Sequence, residues 1–135
     1  MPDRPAILTG FHFTKTTLAA LGERCEIVGR METPQPTPAD IPAGVADKVQ
    51  AIVSTGSDGI SDAMMAALPR LSLFCCYGTG YERVDLAAAR KRNVMITHGA
   101  DANAPDVAEL AIGILLASTR RIVRADKMIR RGEWT

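Results

Sequence analysis

The sequence has few cysteines, no long hydrophobic run and almost no excess of charge of one sign. Its three cysteines, Cys25, Cys75 and Cys76, are an odd number and two are adjacent, which argues against a disulfide framework. The longest apolar stretch, LAIGILLA at residues 110–117, is too short to cross a bilayer. A formal net charge of +1 argues against nucleic acid or an anionic membrane as the main partner. We therefore expect a soluble, cytoplasmic protein with reduced thiols.

Short apolar runs alternate with helix-like segments along the first hundred residues. The runs are apolar throughout, which is typical of a parallel sheet that is covered on both faces. This alternation predicts a doubly wound α/β domain, with a five-stranded parallel sheet in the flavodoxin-like order 2-1-3-4-5. The predicted strands cover residues 5–10, 25–30, 49–55, 71–77 and 94–98, and the predicted helices cover residues 15–24, 60–70 and 83–92.

Local signals set some of these boundaries. Ser61 is a candidate N-cap for the helix at residues 60–70, and Pro69 ends that helix. Four prolines in residues 31–44 exclude a central helix or strand there and predict a surface connection.

The last third of the chain has a different pattern. Residues 106–131 predict one helix of ~25 residues, which would be about 37 Å long. Its first half is apolar nearly all round, and its second half carries six arginines and lysines. No later strand exists for it to lead to, so we interpret it as an interdomain helix. The chain is then divided into a domain at residues 1–100 and an appended segment at residues 101–135.

A glycine loop, Gly78-Thr79-Gly80, invites comparison with the dinucleotide fingerprint G-x-G-x-x-G. Arg83 occupies the position of the third glycine, and the loop follows the fourth predicted strand instead of the first. The loop TGSDGIS at residues 55–61 follows the third strand in the same way. Two such loops at one sheet edge could offer free amides to a small carboxylate, and ordinary turn chemistry is the alternative.

A longer pattern within residues 68–135 is more specific. It consists of Gly78-Thr79-Gly80, Val84-Asp85, Asn93-Val94, Val107-Ala108-Glu109-Leu110-Ala111 and Arg130-Gly132-Trp134. This pattern resembles that of the D-2-hydroxyacid dehydrogenases, most of all the glyoxylate/hydroxypyruvate and hydroxyphenylpyruvate reductases. Residues 1–67 fit only through their order of strands and helices and the STGSDGI loop. The resemblance implies the N-terminal, substrate-binding part of an NAD(P)-dependent enzyme that reduces glyoxylate, hydroxypyruvate or an aryl pyruvate.

The resemblance also implies roles for particular residues. Val107 would approach the nicotinamide ring, although a plain core valine fits the position equally well. The substrate carboxylate would be bound by the backbone amides of two loops, formed by Gly56, Ser57, Asp58, Gly59, Gly78, Thr79 and Gly80.

The resemblance further implies that the reaction is not carried out by this chain alone. In the family, the nucleotide-binding glycines and the catalytic arginine, glutamate and histidine follow the tryptophan that corresponds to Trp134. We therefore expect no catalytic residue, no metal site and no tight NAD(P)H binding in this chain, and no turnover from it alone. His12 and His98 do not belong to the catalytic motif, and Glu109 is interpreted as a structural residue.

Two other functions stay open. The chain could be a non-enzymatic α/β module that binds carboxylates, or a protein-interaction module that docks through its apolar helix. Under every interpretation that helix exposes a hydrophobic surface, which favours a homodimer formed through residues 107–131.

Overall fold

The computed structural model describes residues 4–10 and 13–133. The chain divides into two compact units, Met1–Ala100 and Asp101–Thr135. In the first unit the strands are β1 (Ala6–Thr9), β2 (Glu26–Arg30), β3 (Ala51–Ser54), β4 (Leu73–Cys76) and β5 (Met95–His98), and the helices are α1 (Lys15–Arg24), α2 (Asp62–Ala66) and α3 (Leu86–Lys91). The second unit consists of α4 (Ala104–Thr119) and α5 (Ile122–Arg130).

The five strands form one parallel sheet in the order β2-β1-β3-β4-β5, so the predicted flavodoxin-like fold is confirmed. Right-handed crossovers put α1 on one face of this sheet and both α2 and α3 on the other. The proline-rich connection between β2 and β3 contains only one turn of 3₁₀ helix, Pro38–Asp40. Because the strands are all parallel, their carboxyl ends lie at a single edge of the sheet.

The core lies on the face that α2 and α3 cover. Leu8, Ile52 and Phe74 are in register across three strands, and each has no exposed surface. They pack with Met64 of α2 and Ala88 of α3. On the opposite face, the row that begins with Ile7 ends at Met95, whose exposed fraction is 64%. The apolar side chains that hold the domain together therefore lie mainly between the sheet and these two helices.

The predicted helix starts depend on side-chain caps. The Ser61 hydroxyl accepts a hydrogen bond from Met64 N at 3.2 Å, which confirms it as the N-cap of α2. The Asp85 carboxylate accepts one from Ala88 N at 2.9 Å, so α3 begins at Leu86, three residues later than predicted. The cap fixes this start because the first turn of a helix leaves backbone N–H groups without internal acceptors.

The second unit corrects one expectation, since residues 106–131 are not a single helix. α4 ends at Thr119 and α5 begins at Ile122, with Arg121 between them in the left-handed region at φ 53°. The Thr119 hydroxyl donates to the backbone carbonyl of Leu115 at 2.8 Å, a contact that bends or ends helices. Neither glycine nor proline marks this break, so the sequence pattern did not reveal it. No helix in the described part of the chain is long and apolar enough to span a membrane.

Cys76 gives a pH-dependent test of the core. Its side chain is 2% exposed, and burial, with smaller contributions from Cys75 and Glu82, raises the pKa of its thiol from 9.0 to about 11. The folded state thus favours the protonated thiol, and this stabilisation is complete below the unfolded pKa of 9.0 and is lost as the pH rises towards 11. We expect the free energy of unfolding to fall by at most about 3 kcal/mol over this interval.

Chemical denaturation at several alkaline pH values measures this loss. The same series on Cys76→Ala is the control, because the variant lacks the titrating thiol. An identical pH dependence in the two proteins would contradict the assignment of the effect to Cys76.

Candidate functional site

Two loops leave neighbouring strands at the carboxyl edge of the sheet. Residues 55–59, the β3 loop, follow β3, and residues 77–80, the β4 loop, follow β4. The parallel pairing of Ser54 with Cys76 starts both loops side by side. The two predicted glycine segments are therefore neighbours in the structure.

The loops are in direct backbone contact. A Cβ atom added to Gly56 would lie 1.8 Å from the carbonyl oxygen of Gly80, which no side chain can tolerate. Arg83 N also donates to the Gly56 carbonyl at 3.2 Å. Gly56 is required here because the backbone of the β4 loop occupies the space that a side chain would need.

A second contact joins the ends of the same loops. Gly59 has a φ of +69°, and a Cβ atom there would lie 2.1 Å from the carbonyl oxygen of Arg83. Ile60 and Val84 then form a parallel bridge, in which Ile60 N donates to Arg83 O and Asp85 N donates to Ile60 O. The two loops are thus fixed together at both ends.

The carbonyl groups of the β4 loop point towards the end of β5. The Gly78 carbonyl accepts a hydrogen bond from Gly99 N at 2.7 Å, and the Thr79 carbonyl is 3.0 Å from His98 Nδ1. A trans peptide points its N–H opposite to its C=O, so the N–H groups of Thr79 and Gly80 point away from β5. Among residues 4–10 and 13–133, these two N–H groups have no hydrogen-bond acceptor.

The β3 loop is organised by Thr55 and Asp58. Asp58 is 5% exposed and accepts a hydrogen bond from the Ser54 hydroxyl at 2.6 Å, so its carboxylate is turned into the protein. Its own N–H donates to the Thr55 hydroxyl at 3.2 Å, and Gly59 N donates to the Thr55 carbonyl at the same distance. Two of the four amides predicted to bind a ligand in this loop are therefore used inside it, which leaves those of Gly56 and Ser57.

The remaining groups form a set of backbone donors. Five N–H groups, those of Gly56, Ser57, Gly78, Thr79 and Gly80, belong to two loops in contact, and within the described part of the chain none has an internal acceptor. Backbone amides without internal acceptors can bind small anions without a charged side chain. A carboxylate group suits them, because its two oxygens can each accept more than one hydrogen bond.

Other residues considered from the sequence are placed elsewhere or not at all. Val107 lies on α4 in the second unit, with 55% of its surface exposed. His12 and Trp134 lie outside the described residues. Where the structure is described, no group of three histidine, cysteine or acidic side chains could hold a metal ion.

Two further residues lie at this edge: Tyr81, which no sequence signal indicated, and His98, which was predicted only to lie outside the catalytic motif. His98 contacts the β4 loop through Thr79, and the Tyr81 ring lies 4.9 Å from the imidazole ring. The available signal was the position of His98, since it closes β5 at the edge where the neighbouring loop also emerges.

Comparison with known proteins identifies the family of the chain. Residues 11–128 match the profile of the D-isomer specific 2-hydroxyacid dehydrogenase catalytic domain. The chain belongs to this family. The 2-hydroxyacid dehydrogenases are NAD(P)-dependent oxidoreductases. Both loops lie within the residues that match the catalytic domain of this family.

The relatives include curated proteins and solved structures. Over 74% of the length of this chain, it is 37% identical to hydroxyphenylpyruvate reductase from Plectranthus scutellarioides. Over 97% of the length of this chain, it is 33% identical to glyoxylate reductase from Thermofilum pendens. Its fold superimposes on a 2-hydroxyacid dehydrogenase from Ketogulonicigenium vulgare with a TM-score of 0.84 at 34% identity, covering 98% of the chain. The chain spans 32%, 39% and 41% of the lengths of these three proteins, respectively.

The contact between the loops can be tested with two glycine variants. We expect Gly56→Ala to lower the free energy of unfolding by about 3 kcal/mol, because the new methyl group collides with the Gly80 carbonyl. Gly22→Ala is the matched control, since a Cβ atom there meets nothing within 4 Å. In the interior of α1 it should stabilise by about 0.5–1 kcal/mol. Urea denaturation measures both effects, and a neutral Gly56→Ala would show that the loops are not in contact.

Proposed function

We propose that this chain is the N-terminal, substrate-binding part of an NAD(P)-dependent D-2-hydroxyacid dehydrogenase that reduces a 2-oxo acid. The single observation that carries the proposal is the set of five amides, from Gly56, Ser57, Gly78, Thr79 and Gly80, in a chain of this family. Residues 1–100 would form the substrate-binding domain. Residues 101–135 would form the hinge and connection to a nucleotide-binding domain outside this sequence.

In this proposal the two loops bind the carboxylate of the substrate. Their amides offer fixed partial positive charges, so binding requires no rearrangement of a flexible side chain. The Asp58 carboxylate is turned into the protein, where the Ser54 hydroxyl donates to it, whereas the Glu82 carboxylate lies beside Gly80 and is the negative charge that an incoming anion meets. The chain thereby orients the 2-oxo acid, and the groups that reduce it lie elsewhere in the whole protein.

In this proposal the β4 loop does not bind the dinucleotide. Arg83 stands where the fingerprint needs its third glycine, and the Arg83 carbonyl is hydrogen-bonded to Ile60 N and packed against Gly59. In the complete enzyme NAD(P)H would supply the hydride from a separate domain. Val107 would lie beside the nicotinamide, and the chain by itself would have no catalytic residue and no turnover.

The proposed substrate class is defined by the carboxylate group that its members share. The relatives are named for hydroxyphenylpyruvate and for glyoxylate, which differ in everything except the 2-oxo acid group. Backbone amides contact only the part that such substrates share. We therefore propose glyoxylate, hydroxypyruvate and aryl pyruvates as a set, with cytoplasmic localisation in keeping with the free cysteines.

Carboxylate binding is tested by titrating the isotope-labelled chain with pyruvate while its backbone amide resonances are recorded. The amides of Gly56, Ser57, Gly78, Thr79 and Gly80 should shift together, with a dissociation constant on the order of 1 mM. Methyl pyruvate is the matched control, because it keeps the keto group but has no carboxylate. Equal responses to the acid and the ester, or no response to either, would refute the proposed site.

A homodimer formed through residues 107–131 is also proposed, and the exposed surface of α4 supports it. α4 has no buried residue, and its Leu110 and Ile114 are 64% and 60% exposed. A continuous exposed apolar surface is typical of an interaction surface. The same observation favours the second candidate function, a non-enzymatic interaction module, and an assay of the whole gene product for hydroxypyruvate-dependent NAD(P)H oxidation separates the two.

Sedimentation equilibrium over a range of concentrations tests the dimer. We expect the double variant Leu110→Asp, Ile114→Asp to weaken self-association about 30-fold or more, because both changes put a charge in the proposed interface. Met95→Asp is the control, since Met95 is as exposed as Leu110 but lies on β5. A monomer at every concentration, or an equal loss in the control, would exclude this interface.

A further inference from the structure

His98 makes a side-chain contact with the backbone of the β4 loop. Its Nδ1 lies 3.0 Å from the carbonyl oxygen of Thr79. A carbonyl oxygen has no proton to give, so Nδ1 must carry the proton and donate it. The imidazole therefore acts as a fixed donor at the end of β5.

This contact selects the orientation of one peptide. Thr79 lies between Gly78 and Gly80, and glycines on both sides leave the intervening backbone free to rotate. Gly99 N holds the Gly78 carbonyl, and His98 holds the Thr79 carbonyl on the same side of the loop. Because the peptide is planar, the Gly80 N–H is then presented on the opposite side.

Neighbouring groups hold the imidazole itself in place. The ring centroid of Tyr81 is 4.9 Å from that of His98, with the two planes inclined at 59°. His98 is also anchored by its backbone, because it pairs with Cys76 at the end of β4. The donor thus comes from a position that the sheet fixes.

We propose that His98 is a positioning residue for carboxylate binding, which orients the Thr79–Gly80 peptide so that the Gly80 N–H faces the substrate. The inference rests on the proposed function and deepens it, since it names the residue that orients one N–H group of the amide set. His98 does not touch the substrate. Its effect passes through one hydrogen bond to the backbone.

The test compares pyruvate binding by His98→Ala, His98→Asn and Thr97→Ala. Removing the donor should raise the dissociation constant about 3- to 10-fold, the usual effect of one hydrogen bond, and shift the Gly80 amide resonance of the free protein. Asparagine should restore both, because its side-chain amide can donate from nearly the position of Nδ1. Thr97 is the control, since its side chain points to the other face of β5.

The outcomes separate this inference from the proposed function. Wild-type binding with an unchanged constant in His98→Ala overturns the positioning role and leaves carboxylate binding intact. Weakened binding that asparagine does not restore overturns the hydrogen-bond role. Absence of pyruvate binding in the wild-type chain overturns the proposed function, and the positioning role with it. Unchanged free energies of unfolding establish that each variant is folded at the time of measurement.

A spectroscopic measurement tests the same bond without any ligand. A long-range proton–nitrogen spectrum of the imidazole should show His98 Nδ1 protonated in the free wild-type chain. A ring that is protonated only at Nε2 would overturn the proposal, because it could not donate to Thr79.

Discussion

The contact between Gly56 and the carbonyl oxygen of Gly80 is the constraint on which the candidate site depends. Parallel pairing of β3 and β4 brings the two loops to one edge, but pairing alone would leave room between them. The missing side chain lets one backbone lie directly on the other. In that arrangement the backbones of the two loops are in direct contact at Gly56 and Gly80.

The same contact distinguishes these glycines from those of a nucleotide-binding loop. In a dinucleotide-binding loop, glycines make room for a pyrophosphate and for the helix that follows. Here Gly56 and Gly59 make room for the β4 loop and its continuation at Arg83. Their space is filled by protein, and the donors that remain suit a group as small as a carboxylate.

Much of the fold followed from the sequence, because apolar runs and turn residues act over short distances. The strand and helix order, the Ser61 cap and the position of both glycine loops were predicted from such local patterns. The break at Arg121 was not, since it depends on one backbone conformation that arginine rarely adopts. The contact of His98 with Thr79 also escaped prediction, because it joins residues 19 positions apart that only the sheet register brings together.

A site made of backbone amides is difficult to recognise in a sequence. In the proposed function the ligand contacts the backbone of the two loops, so the side chains in these loops do not identify the site. The residues that mark the site are those that shape its backbone. Glycines provide space between the loops, Thr55 and Asp58 close the β3 loop, and His98 contacts the Thr79 carbonyl. If the proposed function holds, such a site recognises the carboxylate group itself and is indifferent to the rest of the molecule. Discrimination between one 2-oxo acid and another would then arise from groups outside these two loops.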